Sequence, residues 1–243
     1  MTPAATTPAA SGELVAPVAG DPGRAPAVRA MFARIAPGYD RANMWMSMGI
    51  DRAWRAIALR ELGPAISGDV LDLCAGTLDF SAALRRSRSV TAVDFCPEMM
   101  EAGAAKAPWA TLVTADAREL PFPDASFDAA VAGFGLRNVP ESERALAEVV
   151  RVLRPGGVLV VVDFFRPTTV WARAFSATYN RAVLPVVGGM MTGDASAYRY
   201  LAASMGAWMT RAEFDEACVA AGFSASVSWA LFPPVVALVR ATK

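Results

Sequence analysis

The sequence predicts an α/β protein whose doubly wound, mostly parallel sheet has seven strands and ends in an antiparallel strand. Between residues 69 and 163, short apolar runs typical of buried strands alternate with amphipathic runs typical of helices. Asp72, Asp94 and Asp116 lie at or near the ends of the first three strands. Because the carboxyl ends of parallel strands meet at one edge of a sheet, these carboxylates predict a ligand crevice there.

The composition of the 243 residues excludes several kinds of chemistry. The chain contains no histidine, which rules out histidine general bases, Ser-His-Asp and Cys-His nucleophile systems and histidine-ligated metals, so no metal site is expected. Basic and acidic residues number 23 each, so the charge balance does not indicate nucleic acid as a partner. Cys74, Cys96 and Cys218 are odd in number and widely spaced, which fits a reducing compartment rather than a disulfide framework.

The N-terminal residues 1–24 are mostly Ala, Pro, Thr and Gly, and they predict a disordered tail before one domain over residues 25–243. The chain shows neither a secretory signal nor a run of about 18 apolar residues. The sequence therefore predicts a cytoplasmic protein, while contact with the inner face of a membrane stays open.

Two helices are predicted before the sheet. The first begins near Ala27 and ends at Pro37-Gly38. The second is expected to begin with Asp51 as its N-cap and to end near Leu62. Between them, residues 39–49 are rich in methionine and aromatic residues. That composition fits either core packing or a lid over an apolar substrate pocket.

The first strand, residues 70–73, leads into a turn of small residues. Ala75 and Gly76 have almost no side chain, so the backbone there can turn tightly and come close to a ligand. Asp79 is expected to cap a helix that runs to Arg86. Strand, turn and helix together form the first unit of a nucleotide-binding α/β domain.

The second strand, residues 89–95, contains an acid that lies 18 residues after Gly76. In nucleotide-binding α/β folds, an acid about 20 residues beyond the glycine turn accepts hydrogen bonds from ribose hydroxyls. Ribose binding is therefore the favoured role of Asp94, and a solvated carboxylate at a strand end is the alternative. Pro97 and Glu98 predict the start of the next helix.

A long apolar insertion interrupts the later alternation of strands and helices. Residues 165–207 are too long for a plain connection and too apolar for a disordered linker, so they predict a mostly helical substrate cap over the carboxyl edge. Thr210 should cap the last helix and Gly222 should end it. The Pro233-Pro234 break implies an antiparallel final pair. The other predicted elements are strands at 111–116, 127–135, 158–162, 224–231 and 235–241, and a helix that stops at 154–157.

The predicted crevice lacks the groups that bind phosphate. Neither G-x-G-x-x-G nor a Walker lysine is present, which weakens a dehydrogenase or kinase interpretation. A nucleoside crevice with acids and small residues but no phosphate cradle fits S-adenosylmethionine. The residues predicted to bind it are Asp94 for the ribose, Phe95, Asp116 and Ala117 for the adenine, and Asp72, Gly76 and Thr77 for the methionine part.

Over about residues 28–243, the chain resembles the ubiquinone/menaquinone biosynthesis C-methyltransferase family. Leu71-Asp-Leu-Cys-Ala-Gly-Thr77 occurs in many methyltransferases, whereas Phe134-Gly-Leu-Arg-Asn138, Tyr198-Arg-Tyr-Leu201 and the N-terminal block from Phe32 to Asp40 are more specific to this family. The resemblance implies a class I methyltransferase, Rossmann-like fold and places Gly133 with the cofactor-binding residues.

The resemblance also implies a reaction, methyl transfer from S-adenosylmethionine to a ring carbon of a polyprenylated quinol, either demethylmenaquinol or a ubiquinone precursor. The family's catalytic arginine and asparagine, which act through a water, correspond to Arg137 and Asn138, with Tyr39 as a third polar partner. Arginine has a pKa above about 12, so Arg137 is expected to lower the pKa of the phenol rather than to act as a base. A structural ion pair is the alternative role for Arg137.

The lipophilic substrate that the resemblance implies predicts a substrate-binding role for the two apolar segments. The cap and the Met-rich block would form a tunnel for the isoprenoid tail, and residues 171–191 would dock on a membrane. A homodimer is left open.

Two positions depart from the family pattern. Leu78 replaces the second glycine of Gly-Thr-Gly-Asp, and Gly133 stands where the family often has serine. The Leu78 side chain either crowds the methionine part of the cofactor or, if φ is not positive, packs beneath it. Two alternatives therefore remain: methyl transfer to another small aromatic or secondary metabolite, and a cofactor-binding homologue without catalysis.

Overall fold

The computed structural model describes residue 23, residues 25–179, residue 182 and residues 195–243. The predicted tail, apart from Gly23, lies outside the described residues. The same holds for residues 180, 181 and 183–194 of the predicted cap, which include part of the predicted membrane-docking segment.

In the described part of the chain, seven strands form one sheet in the order β3-β2-β1-β4-β5-β7-β6. The first five strands are mutually parallel, and β7 is antiparallel to both of its neighbours, β5 and β6. This arrangement confirms the predicted fold class. The strands are β1 (Asp69–Leu73), β2 (Ser89–Asp94), β3 (Thr111–Thr114), β4 (Phe127–Gly133), β5 (Leu153–Phe164), β6 (Ala225–Ala230) and β7 (Val236–Thr242).

Helices cover both faces of the sheet, so the strands are apolar on both sides. On β1, Leu71 and Leu73 pack on one face and Val70 on the other. The described helices are α1 (Ala25–Ile35), α2 (Tyr39–Ser47), α3 (Asp51–Glu61), α4 (Asp79–Ala83), α5 (Pro97–Gly103), α6 (Ser142–Val152), α7 (Val170–Thr178), α8 (Ala195–Ala207) and α9 (Arg211–Ala221). Among them, none combines the length and the apolar character that a membrane span requires.

The strand order changes direction at β1, which lies between β2 and β4. Ligands of open α/β sheets bind outside the carboxyl ends of the strands at such a switch point. The polar strand ends that the sequence singles out therefore surround one crevice.

Two predicted helix caps are wrong. The N-cap residues of α3 and α4 are Ile50 and Leu78, and neither makes a side-chain cap hydrogen bond. Asp51 and Asp79 instead begin the first helical turn, where a negative charge also favours the helix N-terminus. The α4 helix also ends at Ala83 rather than at Arg86.

Three predicted element ends differ as well. Strand β5 begins at Leu153 and runs through the Pro-Gly-Gly segment, because Leu153 is buried and pairs with Phe127 across a register irregularity. Strand β4 ends at Gly133, since Phe134 has a φ of 57°. Strand β3 ends before Asp116.

The prediction for the last helix is confirmed. Thr210 and Glu213 form a reciprocal capping box, and Gly222 ends α9 with a φ of 113°.

Candidate active site

A cavity of about 1010 Å³, counted with its open mouth, lies at the carboxyl edge of the sheet. Loops after the first four strands line it, and residues from α1, α2 and α3 contribute a further wall. All eight predicted cofactor-binding residues line this cavity: Asp72, Gly76, Thr77, Asp94, Phe95, Asp116, Ala117 and Gly133. The structure thus brings these residues together, while their individual roles stay predictions.

Asp72 is buried near the end of β1. Its Oδ2 accepts hydrogen bonds from the Ser81 amide at 2.9 Å and from the Ser81 hydroxyl at 2.6 Å. Burial raises the pKa of Asp72 to about 7, although the bonds from Ser81 oppose that rise. A cation bound next to Asp72 would favour its ionised form.

Asp94 organises the loop that forms the cavity floor. Its two carboxylate oxygens accept hydrogen bonds from the backbone amides of Gly76 at 2.8 Å and Cys96 at 2.9 Å. Burial raises the pKa of Asp94, and these amides oppose the rise. Each carboxylate oxygen has two lone pairs, so Asp94 can still accept hydrogen bonds from a ribose.

Asp116 is half-exposed and already paired. Its Oδ2 lies 2.7 Å from Nη2 of Arg118, which holds the pKa of Asp116 below its usual range. Arg118 also reaches Glu141 at 3.1 Å. An adenine beside Asp116 would therefore meet a carboxylate that is held in place.

The absence of a side chain at Gly133 has a steric explanation. A Cβ atom there would lie 2.5 Å from the ring of the buried Phe80. The Phe80 ring thus takes the space that a serine at position 133 would need.

Leu78 does not crowd the cavity. Its backbone is left-handed, with φ 65° and ψ 29°, yet its side chain is fully buried beneath the loop against Ala92, Met100 and Ala107. The prediction that Leu78 packs beneath the cofactor only if φ is not positive is therefore wrong, because the side chain packs beneath the loop at positive φ. Leu78 therefore no longer supports the interpretation of this chain as a cofactor-binding homologue without catalysis.

We expect Leu78→Gly to be less destabilising than Leu78→Ala. Alanine should cost about 2–5 kcal/mol by emptying a buried site. Glycine loses the same contacts but removes left-handed strain of about 1 kcal/mol or more. Denaturant unfolding measures the order, and S-adenosylmethionine affinity should stay within about threefold for both variants. The reverse order of stabilities would show that position 78 is unstrained.

A second, mostly apolar cavity of about 1330 Å³, again counted with its mouth, adjoins the first. It is lined by α1, α2, α3, α7 and α8, by the ends of β4 and β5 and by the turn between β6 and β7. Several residues line both cavities, so the two spaces meet: Phe32, Tyr39, Asn43, Arg55, Phe134 and Asn138.

Arg137 lines the second cavity from within a buried ion pair. Its Nη1 lies 2.7 Å from Asp163 Oδ1 and also donates to the Phe134 carbonyl, and its guanidinium carbon lies 5.5 Å from the centre of the Phe164 ring. Only 4% of the Arg137 side chain and 1% of Asp163 are exposed. Among the described atoms, Arg137 Nε has no hydrogen-bond partner. Arg137 is therefore a buried, ion-paired cation in the wall of the apolar cavity.

Asn138 and Tyr39 lie where the two cavities meet. The Tyr200 hydroxyl donates to Asn138 Oδ1 at 3.2 Å. Burial raises the pKa of Tyr39, and a hydrogen bond with Asn43 opposes the rise. All three predicted catalytic residues are thus close to the junction.

Sequence reasoning gave no role to Asp163, Asn43 or Tyr200. Asp163 could have been found, because it lies at the carboxyl end of β5, the parallel neighbour of β4, and Arg137 follows the carboxyl end of β4. Tyr200 belongs to the Tyr198-Arg-Tyr-Leu201 motif and Asn43 follows the block from Phe32 to Asp40, but no pattern at either position indicates its contacts.

Comparison with known proteins decides the family. A model of the ubiE/COQ5 methyltransferase family matches residues 22–243. The chain belongs to this family. A demethylmenaquinone methyltransferase of Clavibacter sepedonicus is 40% identical over 220 residues, which cover 89% of this chain and 90% of that protein. A ubiquinone/menaquinone biosynthesis C-methyltransferase UbiE of Syntrophotalea carbinolica is 42% identical over 194 residues, 76% of this chain and 81% of that protein.

Solved structures confirm the fold of this member of the ubiE/COQ5 methyltransferase family. A methyltransferase of Thermotoga maritima superposes with a TM-score of 0.65 at 21% identity, covering 88% of this chain and 99% of the other. An S-adenosylmethionine-dependent methyltransferase of Mesorhizobium loti superposes with a TM-score of 0.57 at 20% identity, covering 80% of this chain and 100% of the other. The predicted enzyme class and cofactor are confirmed, because the family uses S-adenosylmethionine.

The first cavity fits this cofactor chemically. Asp94 keeps free acceptor lone pairs for ribose hydroxyls, and Asp72 and Asp79 offer carboxylates toward positive charge. The acids and small residues at the cavity floor suit a nucleoside that carries no phosphate.

Proposed function

We propose that this chain methylates a ring carbon of a polyprenylated quinol in quinone biosynthesis. The observation that carries the proposal is the apolar cavity that meets the cofactor cavity and has Arg137 in its wall. The names of the relatives, demethylmenaquinone methyltransferase and ubiquinone/menaquinone biosynthesis C-methyltransferase, support the same substrate class.

The reaction requires an acidified phenol and an oriented ring. When bound, S-adenosylmethionine supplies an electrophilic methyl group. The Arg137 guanidinium, which lines the apolar cavity, would stabilise the phenolate that makes the neighbouring ring carbon nucleophilic, either directly or through a water. The ring carbon would gain the methyl group as the bond between sulfur and methyl breaks, and S-adenosylhomocysteine would leave. Loss of the ring proton to water would restore the aromatic ring, and reprotonation of the phenolate oxygen from water would restore the quinol.

Asn138 and Tyr39 would position the acceptor. Tyr200 holds the Asn138 carbonyl, which orients the amide toward a fixed direction. Tyr39 keeps its proton at neutral pH because burial raises its pKa, so it remains a hydrogen-bond donor. Both side chains line the junction across which the methyl group must pass.

The cap segment, residues 165–207, would cover the substrate in this proposal. Its described part contributes Phe175 of α7, the α7 C-cap residue Tyr179 and Tyr200 of α8 to the wall of the apolar cavity. The Tyr179 hydroxyl donates to the Met46 carbonyl at 2.6 Å and so joins α7 to α2. An isoprenoid tail would lie between these helices.

The proposed function is tested by complementation of a bacterium that cannot methylate its quinones, with the quinones identified by mass. Restored methylated quinone is expected. A purified protein that methylates a short aromatic acceptor but neither demethylmenaquinol nor a ubiquinone precursor would contradict it and favour another aromatic substrate.

We further propose that the enzyme docks on a lipid bilayer at the mouth of the apolar cavity. Met48 and Phe232 line that cavity and are 80% and 74% exposed. On the neighbouring turns, Trp45 and Trp171 are 61% and 86% exposed. Aromatic side chains prefer the interface of a membrane, and a tail-bearing quinol would enter from there.

The double variant Trp45→Ser/Trp171→Ser should lose most of its flotation with phosphatidylglycerol-containing liposomes. Each exposed indole that enters the interface adds apolar burial, so its removal weakens docking. Trp109→Ser is the matched control, because Trp109 is 42% exposed but precedes β3, whereas Trp45 and Trp171 lie on helices that line the apolar cavity. Absence of flotation for the wild type, with or without quinol, would contradict membrane docking.

A further inference from the structure

Arg55 is the one cationic side chain that lines the first cavity in the described part of the chain. Asp72, Asp79, Asp94 and Asp116 also line it. At neutral pH the amino-acid end of S-adenosylmethionine carries a carboxylate as well as an ammonium group. A carboxylate that leaves water needs a cation or several N–H donors, and acidic walls would otherwise repel it.

Arg55 belongs to a chain of alternating charges that joins α2, α3 and α4. Its Nη2 contacts Asp51 and lies 3.2 Å from Asp79 Oδ2. Lys106 Nζ lies 2.7 Å from Asp79 Oδ1 and 2.8 Å from Asp40 Oδ2. These contacts hold the Arg55 head group in one place at the cavity wall.

The guanidinium still has donors to offer. The shortest contact in each of its ion pairs uses Nη2, and within the described residues neither Nη1 nor Nε donates a hydrogen bond. The Arg55 side chain is only 17% exposed, which reduces competition from water. A planar guanidinium with two free edges is suited to a forked pair with a carboxylate.

The position of Arg55 fits contact with the amino-acid end of S-adenosylmethionine rather than with its adenosine end. Arg55 lines both cavities, whereas Asp94 and Asp116 line only the first. The reactive methyl group must lie where the cavities meet, and the amino-acid chain is attached to the same sulfur atom. That chain must therefore begin near Arg55, with Asp79 beside it to receive the ammonium group.

We propose that Arg55 binds the α-carboxylate of S-adenosylmethionine and so orients the sulfonium toward the acceptor. The assignment rests on the cofactor of the proposed function but not on its methyl acceptor. Arg55 thus has a binding role in addition to its contacts with Asp51 and Asp79.

The test compares three ligands by isothermal titration calorimetry without any acceptor. Arg55→Gln should weaken the binding of S-adenosylmethionine and S-adenosylhomocysteine by about 10- to 100-fold, because both ligands carry the carboxylate. The affinity for decarboxylated S-adenosylmethionine should change by less than about threefold. Arg52→Gln, an exposed arginine on the same helix, should leave all three affinities unchanged.

Equal weakening of all three ligands would show that Arg55 acts only through its ion pairs, and no weakening would show that it does not contact the cofactor. Either result overturns the proposal. If Arg55→Gln does not fold, the wild type still decides: it should bind decarboxylated S-adenosylmethionine at least about tenfold more weakly than the intact cofactor. Similar affinities would overturn the assignment. A wild type that binds the cofactor but methylates no quinol contradicts only the proposed function.

Discussion

Arg137→Ala should lower turnover with a tail-bearing quinol by about 100-fold or more and leave the affinity for S-adenosylmethionine unchanged. Removal of a single charge-stabilising donor costs roughly this much in other active sites. Arg137 lines the apolar cavity and not the cofactor cavity, so the loss should appear in kcat. Single-turnover kinetics and calorimetry measure the two quantities separately.

The buried ion pair requires a control for stability. Alanine at position 137 leaves Asp163 buried without its cation, which should cost about 3–5 kcal/mol of unfolding free energy. Arg137→Ala/Asp163→Ala removes both charges and should regain much of that stability without regaining turnover. A double variant that turns over at the wild-type rate would show that Arg137 is only a structural partner of Asp163.

Asp94→Ala should raise the Kd for S-adenosylmethionine by about 100-fold or more. The variant removes the carboxylate that is predicted to accept hydrogen bonds from two ribose hydroxyls, and each charge-assisted hydrogen bond is worth about 1.5–3 kcal/mol. It also releases the amides of Gly76 and Cys96, which shape the cavity floor. Calorimetry with purified protein measures the change.

A ligand without ribose hydroxyls separates these two contributions. The 2′,3′-dideoxy analogue of S-adenosylhomocysteine should bind the wild type much more weakly than the parent compound, and Asp94→Ala should distinguish the two ligands by less than about threefold. If the variant still prefers the parent compound as strongly as the wild type does, the ribose does not bind Asp94.

The sequence was sufficient to predict the strands of the sheet and the acidic residues that line the first cavity. Periodicity predicted the strands, and parallel strands bring their carboxyl ends together whatever the helices do. Asp72 and Asp94 therefore line one cavity, as expected.

The roles of Asp51 and Asp79 could not be predicted from their position in the sequence alone. Both were assigned as caps from their position, but cationic side chains from α3 and from the segment before β3 gave them ion-pair partners instead.

What the sequence by itself determined is the order and type of the strands and of the helices between them, because helical and strand patterns are local properties of the chain. It did not predict α2, which the Met-rich block forms, so three helices rather than two precede the sheet. The tertiary structure decided how single side chains are used. Leu78 accepts a left-handed backbone because neighbouring elements bury its side chain, and Arg137 obtains Asp163 because two strand ends meet. Arg55 lines the first cavity because α3 packs through Trp54 and Ala58 on one face of the sheet. Such contacts join residues that are distant in sequence, and no local pattern encodes them.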